Sequence, residues 1–442
     1  MASRARPAPL GPSAPEVGRG RETSRGDSVE SFRATNGEVA RTVSRRAGGT
    51  SNAKLAPSRL GLEGPVSRTV AEAAFLRRQE RPTWDLGIDT VAFADLFCGC
   101  GSLGLGVLEA SRALHMRGDL RLAADIDADA LRVLRSSLGV DATNARRMDL
   151  TRHVKADPSA ATNPAERALA ARVGADLRIV VAGPPCQGHS ALNNHSRHDD
   201  VRNHLYLRVV RFAALTAPDY VLVENVASIE HDKRRSVQRA TDALLRLGYR
   251  VDDGLVDLHA LGVPQLRRRH ILLACAPHVQ TLTVQGVLDT HGVEDRGSHT
   301  IAWAIDDLQT VKEVEPFDRP SLPSRKNRRR IAWLHDNDEY DLPNRLRPDC
   351  HRGPHSYKSM YGRLRWDRPA QTITSGYGSM GQGRYVHPRE RRTLTPHEAA
   401  RLQLIPDFFD FSEVASREAW AQMIGNAAPW KLAYAFALEM LR

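Results

Sequence analysis

Val91–Gly106 reads VAFADLFCGCGSLGLG, and this stretch decides the fold. Val91–Phe97 is an apolar run of strand length. Gly99, Gly101 and Gly104 follow in a GxGxxG spacing, and LGLGVLEASRAL continues as a helix. A strand that turns through glycines into a helix lets a ligand approach the backbone closely and puts a helix N-terminus in front of it. A second strand, Leu120–Ala124, ends in Asp125-Ile126-Asp127. An acidic residue about 20 positions past the glycines can hydrogen-bond a ribose. These features specify an adenosine-bearing cofactor and leave NAD and S-adenosylmethionine unseparated.

Working outward, polar residues repeatedly close apolar runs. Met148-Asp149-Leu150 ends a third βα unit. In Ile179–Ser190, IVVAGPPCQGHS, a short β-branched strand is stopped by Gly183-Pro184-Pro185, and Cys186 stands on the loop. Two prolines restrict the backbone just before the thiol. That suits a nucleophile, although a buried structural cysteine fits the tetrad equally well. Tyr220–Val223 is another buried-strand run, closed by Glu224-Asn225-Val226. Ligands of an open parallel sheet bind outside the carboxyl ends of its strands, so Asp125, Cys186 and Glu224 should share one crevice. Gln265, Arg267 and Arg269 precede the strand His270–Cys275 instead of following one. They reach that crevice only if this strand runs antiparallel to its neighbours.

Composition sets the outer bounds. The 442 residues carry a net charge of +11, with 56 Arg against 7 Lys, which favours an anionic partner such as nucleic acid. Five cysteines without CxxC spacing exclude a disulfide framework or a zinc ribbon, and no metal site is expected. No run has the length of a membrane span and no apolar leader opens the chain, so a cytoplasmic, reducing location is expected. Residues 1–88 read as a disordered basic extension, with a short helix around Val70–Arg78. Residues 89–276 read as a catalytic domain. Residues 277–394 read as a small domain with a basic face, clustering Arg325, Lys326, Arg328, Arg329 and Arg330 and holding a flexible loop, GYGSMGQG, at 376–383. Residues 395–442 read as helices returning to the large domain, the first opened by Thr395-Pro396.

Taken in order, these segments resemble the DNA cytosine-5-methyltransferase family of bacterial restriction-modification type. DLFCGCGSLGLG resembles its first motif, AADID its second and GPPCQGHS its nucleophile loop. RNHLYLRVVRF, ENV, GVPQLRRR, RPAQTIT with TPHEAARLQLIPDF, and GNAAPW follow in the family's order over residues 91–442. The resemblance implies a Rossmann-like, mostly parallel sheet with one antiparallel strand and a small target-recognition domain. It implies site-specific methylation of cytosine C5 in double-stranded DNA by S-adenosylmethionine. Cys186 would add to cytosine C6 of a flipped base, Glu224 would contact N3, and Arg269 with Arg267 would hold the O2 side and the loop. For the cofactor it implies Phe97 on adenine, Gly99 and Gly101 at the close turn, Asp125 with Ile126 at the ribose, and Asp149 at the adenine amino group. Pro185 and Asn426 would line the same pocket.

It further implies host-DNA protection, with a separate restriction endonuclease, by a monomer. The chain departs from the family at Ser102, where a second glycine is usual, and at His189, where an aromatic or apolar residue is usual. Other readings fit less well. A nicotinamide dehydrogenase has no use for PPCQ, ENV and QLRRR together. An inactive DNA-binding relative would have lost the Cys, Glu and Arg present here. An RNA-methylating relative typically carries a CFT tripeptide that this chain lacks.

Overall fold

The computed structural model describes residues 30–45, 49–57, 63–84, 87–185, 205–232, 235–310, 315–352 and 359–442. Its first elements correct the reading of the N-terminal region as disordered over the described part of residues 30–76. β1 (Glu30–Thr35), β2 (Glu38–Ser44), β3 (Thr50–Pro57) and β4 (Gly64–Pro65) form a four-stranded sheet in the order β3-β2-β1-β4, followed by α1 (Arg68–Leu76). The β1–β2 hairpin closes through Asn36-Gly37, at φ of 51° and 74°. Asn-Gly adopts such a turn most readily. The alternation is hard to see in the sequence because the inward row of β2 is Val39, Arg41, Val43, with a guanidinium at its centre. Arg41 is buried against Glu109 (3.2 Å) and the Tyr434 hydroxyl (2.9 Å).

The main sheet then builds as β5 (Thr90–Leu96), α2 (Ser102–Ala113), β6 (Arg117–Asp125), α3 (Ala128–Leu138), β7 (Ala145–Arg147), α4 (Leu150–His153), α5 (Pro164–Val173) and β8 (Ile179–Ala182). The chain continues through α6 (Leu205–Thr216), β9 (Tyr220–Val226), α7 (Ser236–Arg246), β10 (Arg250–Asp257), β12 (Arg268–Cys275) and, outside this sheet, the two-residue β11 (Gln265–Leu266) between β10 and β12. Seven strands lie in the order β10-β12-β9-β8-β5-β6-β7. β5 to β9 are mutually parallel, and β12 runs antiparallel to both β9 and β10. This is the expected α/β sheet with its reversed strand.

The rest of the chain forms α8 (Val284–His291), α9 (Ile301–Ile305), α10 (Arg325–Asp336), β13 (Ala370–Gln371), α11 (Pro396–Leu402), α12 (Arg417–Asn426) and α13 (Trp430–Leu441). Period-two alternation sends Phe93, Ile179, Val181, Leu222 and Ile271 to one face of the sheet. Leu96, Val180, Val221, Val223 and Leu272 face the other, under α5, α6 and α7. Burial on both faces is why these strands read as continuous apolar runs. On the first face α2 and α13 are buried along their whole length. They meet at Gly106, where a β-carbon would lie 2.4 Å from the Trp430 carbonyl oxygen, so only glycine permits this approach.

The expected small domain divides. Val284, Val287, Ile301 and Ile305 join the large core. A separate small core gathers Ile331, Leu334, Leu342, Met360, Tyr361, Met380 and Val386. The expected flexible loop 376–383 is anchored instead, with Tyr377 and Met380 buried at 3% and 1% exposure. Large side chains between the glycines hold it down. No described helix is long and apolar enough to cross a membrane.

Candidate active site

β5 passes into α2 through a tightly curled loop. Phe97, Gly99 and Gly101 all have positive φ, at 58°, 53° and 91°. For an aromatic residue that conformation is strained, and the loop is pinned by hydrogen bonds on both sides. Cys98 N donates to the Ala124 carbonyl (3.2 Å), Gly101 N to the Cys98 carbonyl (2.9 Å) and Gly99 N to Asp125 Oδ2 (2.8 Å). Asp125 Oδ1 accepts from Asp127 N (2.9 Å). The glycine turn and the acidic end of β6 are thus one hydrogen-bonded unit. Burial raises the Asp125 pKa, against the pull of its backbone donors. Ile126 beside it is 64% exposed.

Asp149 is brought to the same edge, because Met148 N donates to the Asp125 carbonyl (2.7 Å). Its carboxylate caps α4 through Thr151 N (2.9 Å) and Thr151 Oγ1 (2.7 Å), and the Thr151 hydroxyl bond lowers its pKa. Cys98 and Cys100 are both buried, and burial pushes Cys98 up and Cys100 to about 12, so both stay thiols.

At the centre of the sheet, Gly183 joins the two halves of the crevice. A β-carbon placed on it would lie 3.7 Å from Glu224 Oε2 and 3.8 Å from the Phe97 carbonyl oxygen. Asn225 Nδ2 donates to the Pro184 carbonyl (3.2 Å), which ties the end of β9 to the end of β8. Pro185 is exposed at the crevice edge. Cys186 and His189 lie outside the described residues.

Because β12 is reversed, its first residues sit beside the last of β9, with Arg269 opposite Val226 and Ile271 opposite Glu224. Arg269 Nε stands 2.5 Å from Glu224 Oε1, each side chain 11% exposed. Arg267 departs from the expected contact with substrate. It is 2% exposed and donates to the carbonyls of Ile373 (3.0 Å) and Gly425 (3.4 Å). Burial is the main reason its pKa falls well below the ordinary arginine value, with the Arg269 charge adding to it. Two residues apart on the same turn, Arg269 faces the carboxylate and Arg267 faces backbone.

Two glutamines complete the joint. Gln265 Nε2 donates to Gln403 Oε1 (2.6 Å) and to the Leu402 carbonyl (2.9 Å), while its Oε1 accepts from Ile373 N (3.1 Å). Gln403 donates to the Ile424 carbonyl (2.6 Å). Sequence reasoning misses this pairing, since the only signal is polarity inside QLRRR and RLQLI. Asn426, one residue beyond Gly425, is exposed, with Gln422 at 3.4 Å.

The residues present fit an adenosine-bearing methyl donor. The N-terminus of α2, where Asp95 Oδ2 accepts from Gly104 N (2.9 Å) and Gly101 adds no side-chain cap, lies with the Asp125 carboxylate, Phe97 and the exposed Ile126 along one edge. Helix N-termini favour a carboxylate such as that of an amino-acid moiety.

The family model for C-5 cytosine-specific DNA methylase matches residues 91–442. Type II methyltransferase M1.BsuMI of Bacillus subtilis (strain 168) is 40% identical over 418 residues, covering 94% of this chain and 96% of that protein. That alignment is longer than the family match, so it takes in part of the N-terminal sheet region. Type II methylase M.HgiDII of Herpetosiphon aurantiacus is 29% identical over 282 residues, covering 60% of this chain and 76% of that protein. Among solved structures, S. pombe Dnmt2 methyltransferase shares the fold with a TM-score of 0.54 at 17% identity, covering 78% of this chain and 97% of that one. The chain belongs to the C-5 cytosine-specific DNA methylase family: it is a DNA (cytosine-5)-methyltransferase whose methyl donor is S-adenosylmethionine.

Proposed function

We propose that this protein methylates one short recurring site in duplex DNA through a flipped cytosine and a transient covalent bond from Cys186 to C6. Cytosine C5 is a poor carbon nucleophile and needs activation. In this reading the Cys186 thiolate adds to C6 as the Glu224 carboxyl passes a proton to N3 and Arg269 donates to O2, which neutralises the displaced electron pair. S-adenosylmethionine supplies an electrophilic methyl group. C5 takes that methyl as the donor departs as a neutral thioether and N3 returns its proton to Glu224; a base then removes the C5 proton, and elimination returns the thiolate. The target must leave the base stack, at a cost of a few kcal/mol, because C6 is inaccessible within a duplex.

The observation that carries this reading is the Glu224–Arg269 pair at 2.5 Å beside Gly183, the root of the Cys186 loop. A carboxylate and a guanidinium so placed match the N3 and O2 edge of one base. Arg267 is assigned to positioning, since its donors are engaged by backbone. Phe97, Gly99, Gly101, Asp125, Ile126, Asp149, Pro185 and Asn426 are assigned to the cofactor. The biological setting we propose is host-DNA protection in a restriction-modification system, by a cytoplasmic monomer with a separate endonuclease. The likeness to type II methyltransferases supports this setting.

Bisulfite sequencing of DNA from a methylation-free host expressing the protein tests the reading. Methylation at one recurring short site is expected, and none from Cys186→Ser, which still binds S-adenosylmethionine. Turnover by Cys186→Ser at the wild-type rate would overturn the covalent step. Soluble wild-type protein that leaves DNA unmethylated but transfers methyl groups to RNA would overturn the substrate.

A further inference from the structure

α10 begins with a run of five cations in six residues, Arg325-Lys326-Asn327-Arg328-Arg329-Arg330. The helix sorts them. Ile331 and Leu334 point into the small core, at 1% and 0% exposure. Arg330, on the flank, is held in place: its Nε donates to the Leu346 carbonyl (2.8 Å) and its Nη1 to Asn327 Oδ1 (2.8 Å), with the guanidinium over the Tyr361 ring. Arg325, Lys326, Arg328 and Arg329 are all exposed. Among the described residues, none of these four pairs with a carboxylate.

Their neighbours behave differently. Arg363 pairs with Asp338 (3.1 Å), Arg392 with Glu390 (2.7 Å) and Glu398 (2.6 Å), and Arg384 and Arg391 pair with Asp341 and Asp336. Two more arginines lie on rings, Arg365 over Tyr340 and Arg389 over Trp366. Much of the small core's arginine surface is thus neutralised or stacked, whereas four adjacent cations on one helix are left bare. At 1.5 Å per residue they occupy about 6 Å of helix, comparable to the span of about two phosphates along one DNA strand.

The helix is also fixed relative to the crevice. Its buried face shares the small core with Met380, whose carbonyl accepts from Tyr361 N (2.8 Å). Tyr385, on the far side of the same loop, donates to the Thr372 carbonyl (3.0 Å), next to the Ile373 carbonyl that holds Arg267.

Building on the reading of this chain as a duplex-DNA enzyme, we propose that the first two turns of α10 clamp the DNA phosphate backbone beside the target base. Long, unpaired cations supply sequence-independent affinity and orientation, not base discrimination. The test compares the full-length protein with Arg325→Gln/Lys326→Gln/Arg328→Gln/Arg329→Gln, titrating cognate and unrelated duplexes across a salt series.

The slope of log affinity against log salt should become shallower by about 2, at about 0.9 for each of about two phosphates no longer neutralised. Affinity for both duplexes should fall by the same factor, with S-adenosylmethionine binding and the methylated sequence unchanged. An Arg→Lys version at 325, 328 and 329 should keep the wild-type slope, since charge is what the clamp uses. An unchanged slope in the glutamine variant overturns the clamp, and so does a changed methylation site, which would mean that α10 reads bases. Failure of wild-type protein to methylate DNA overturns the underlying reading instead, so the two failures are distinguishable.

Discussion

Arg269 and Glu224 meet at 2.5 Å across two strands that run in opposite directions. Neither is more than 11% exposed, so each is the other's principal counter-charge at the crevice. Glu224→Gln keeps the shape and removes the charge. We expect turnover to fall by about 10² to 10⁴-fold, the usual worth of a positioned proton-transfer or charge-stabilising group. S-adenosylmethionine binding, followed by calorimetry, should be unchanged. Retained turnover would remove Glu224 from the chemistry.

Arg41 supplies a different kind of test. It joins the N-terminal sheet to Glu109 inside α2, with side-chain exposures of 3% and 0%. Glu109 keeps Arg112 at 2.7 Å, so Arg41→Leu should cost about 1.5 to 3 kcal/mol in urea denaturation, the worth of its lost charge-assisted bonds to Glu109 and Tyr434. Arg33, exposed on the adjoining strand, should cost less than about 0.5 kcal/mol as Arg33→Ala. Equal, negligible effects would mean that the sheet contributes nothing to the fold.

His397 bridges Asp318 (2.8 Å) and Asp407 (3.0 Å). Burial alone would lower its pKa, but hydrogen bonds to both carboxylates outweigh it and raise the value to about 9. A histidine with a raised folded pKa stabilises the fold fully below its unfolded pKa of about 6.5. That contribution, on the order of 3 kcal/mol at most, is lost as pH rises through about 9. Stability of the wild type should therefore decline between about pH 6.5 and 9.5, and His397→Gln should lack that component of the decline. Parallel pH profiles would show that the bridge is energetically silent.

Gly425 tests the joint behind the crevice. A β-carbon there would sit 2.1 Å from Ser375 N, a backbone atom with no rotamer to yield. Gly425→Ala should lower stability by about 2 kcal/mol. It should also weaken S-adenosylmethionine binding by displacing Asn426. If thermal melting and cofactor titration are both unaltered, segment 374–375 moves freely and the joint is not rigid.

Much of the catalytic sheet is legible because its strands are buried on both faces and end in polar residues. IVVA, YVLV and the glycine turn after VAFADLF each announce an element and the end that carries chemistry. The reversal of β12 can be argued from where QLRRR has to arrive. The N-terminal sheet is not legible, since Arg41 occupies an inward position whose partner, Glu109, lies 68 residues away. Arg267 and Arg269 look equivalent in sequence, and only the path of residues 373 and 425 separates them. Gln265 and Gln403 meet across 138 residues, a distance at which neither periodicity nor spacing gives a signal. The 376–383 loop misleads through its glycines, because the side chains between them set its mobility.

The packing of α2 on α13 also has a consequence for biosynthesis. Translation makes α2 early and α13 only after most of the chain has followed, and Arg41 reaches Tyr434 across 393 residues. During that interval the face of α2 around Gly106 has no cover, although Glu109 already has Arg41 and Arg112 beside it. The small core, local in sequence, is free to form first. The cover of α2 is therefore completed late, when α13 lands on Gly106 and seals a structure begun hundreds of residues before.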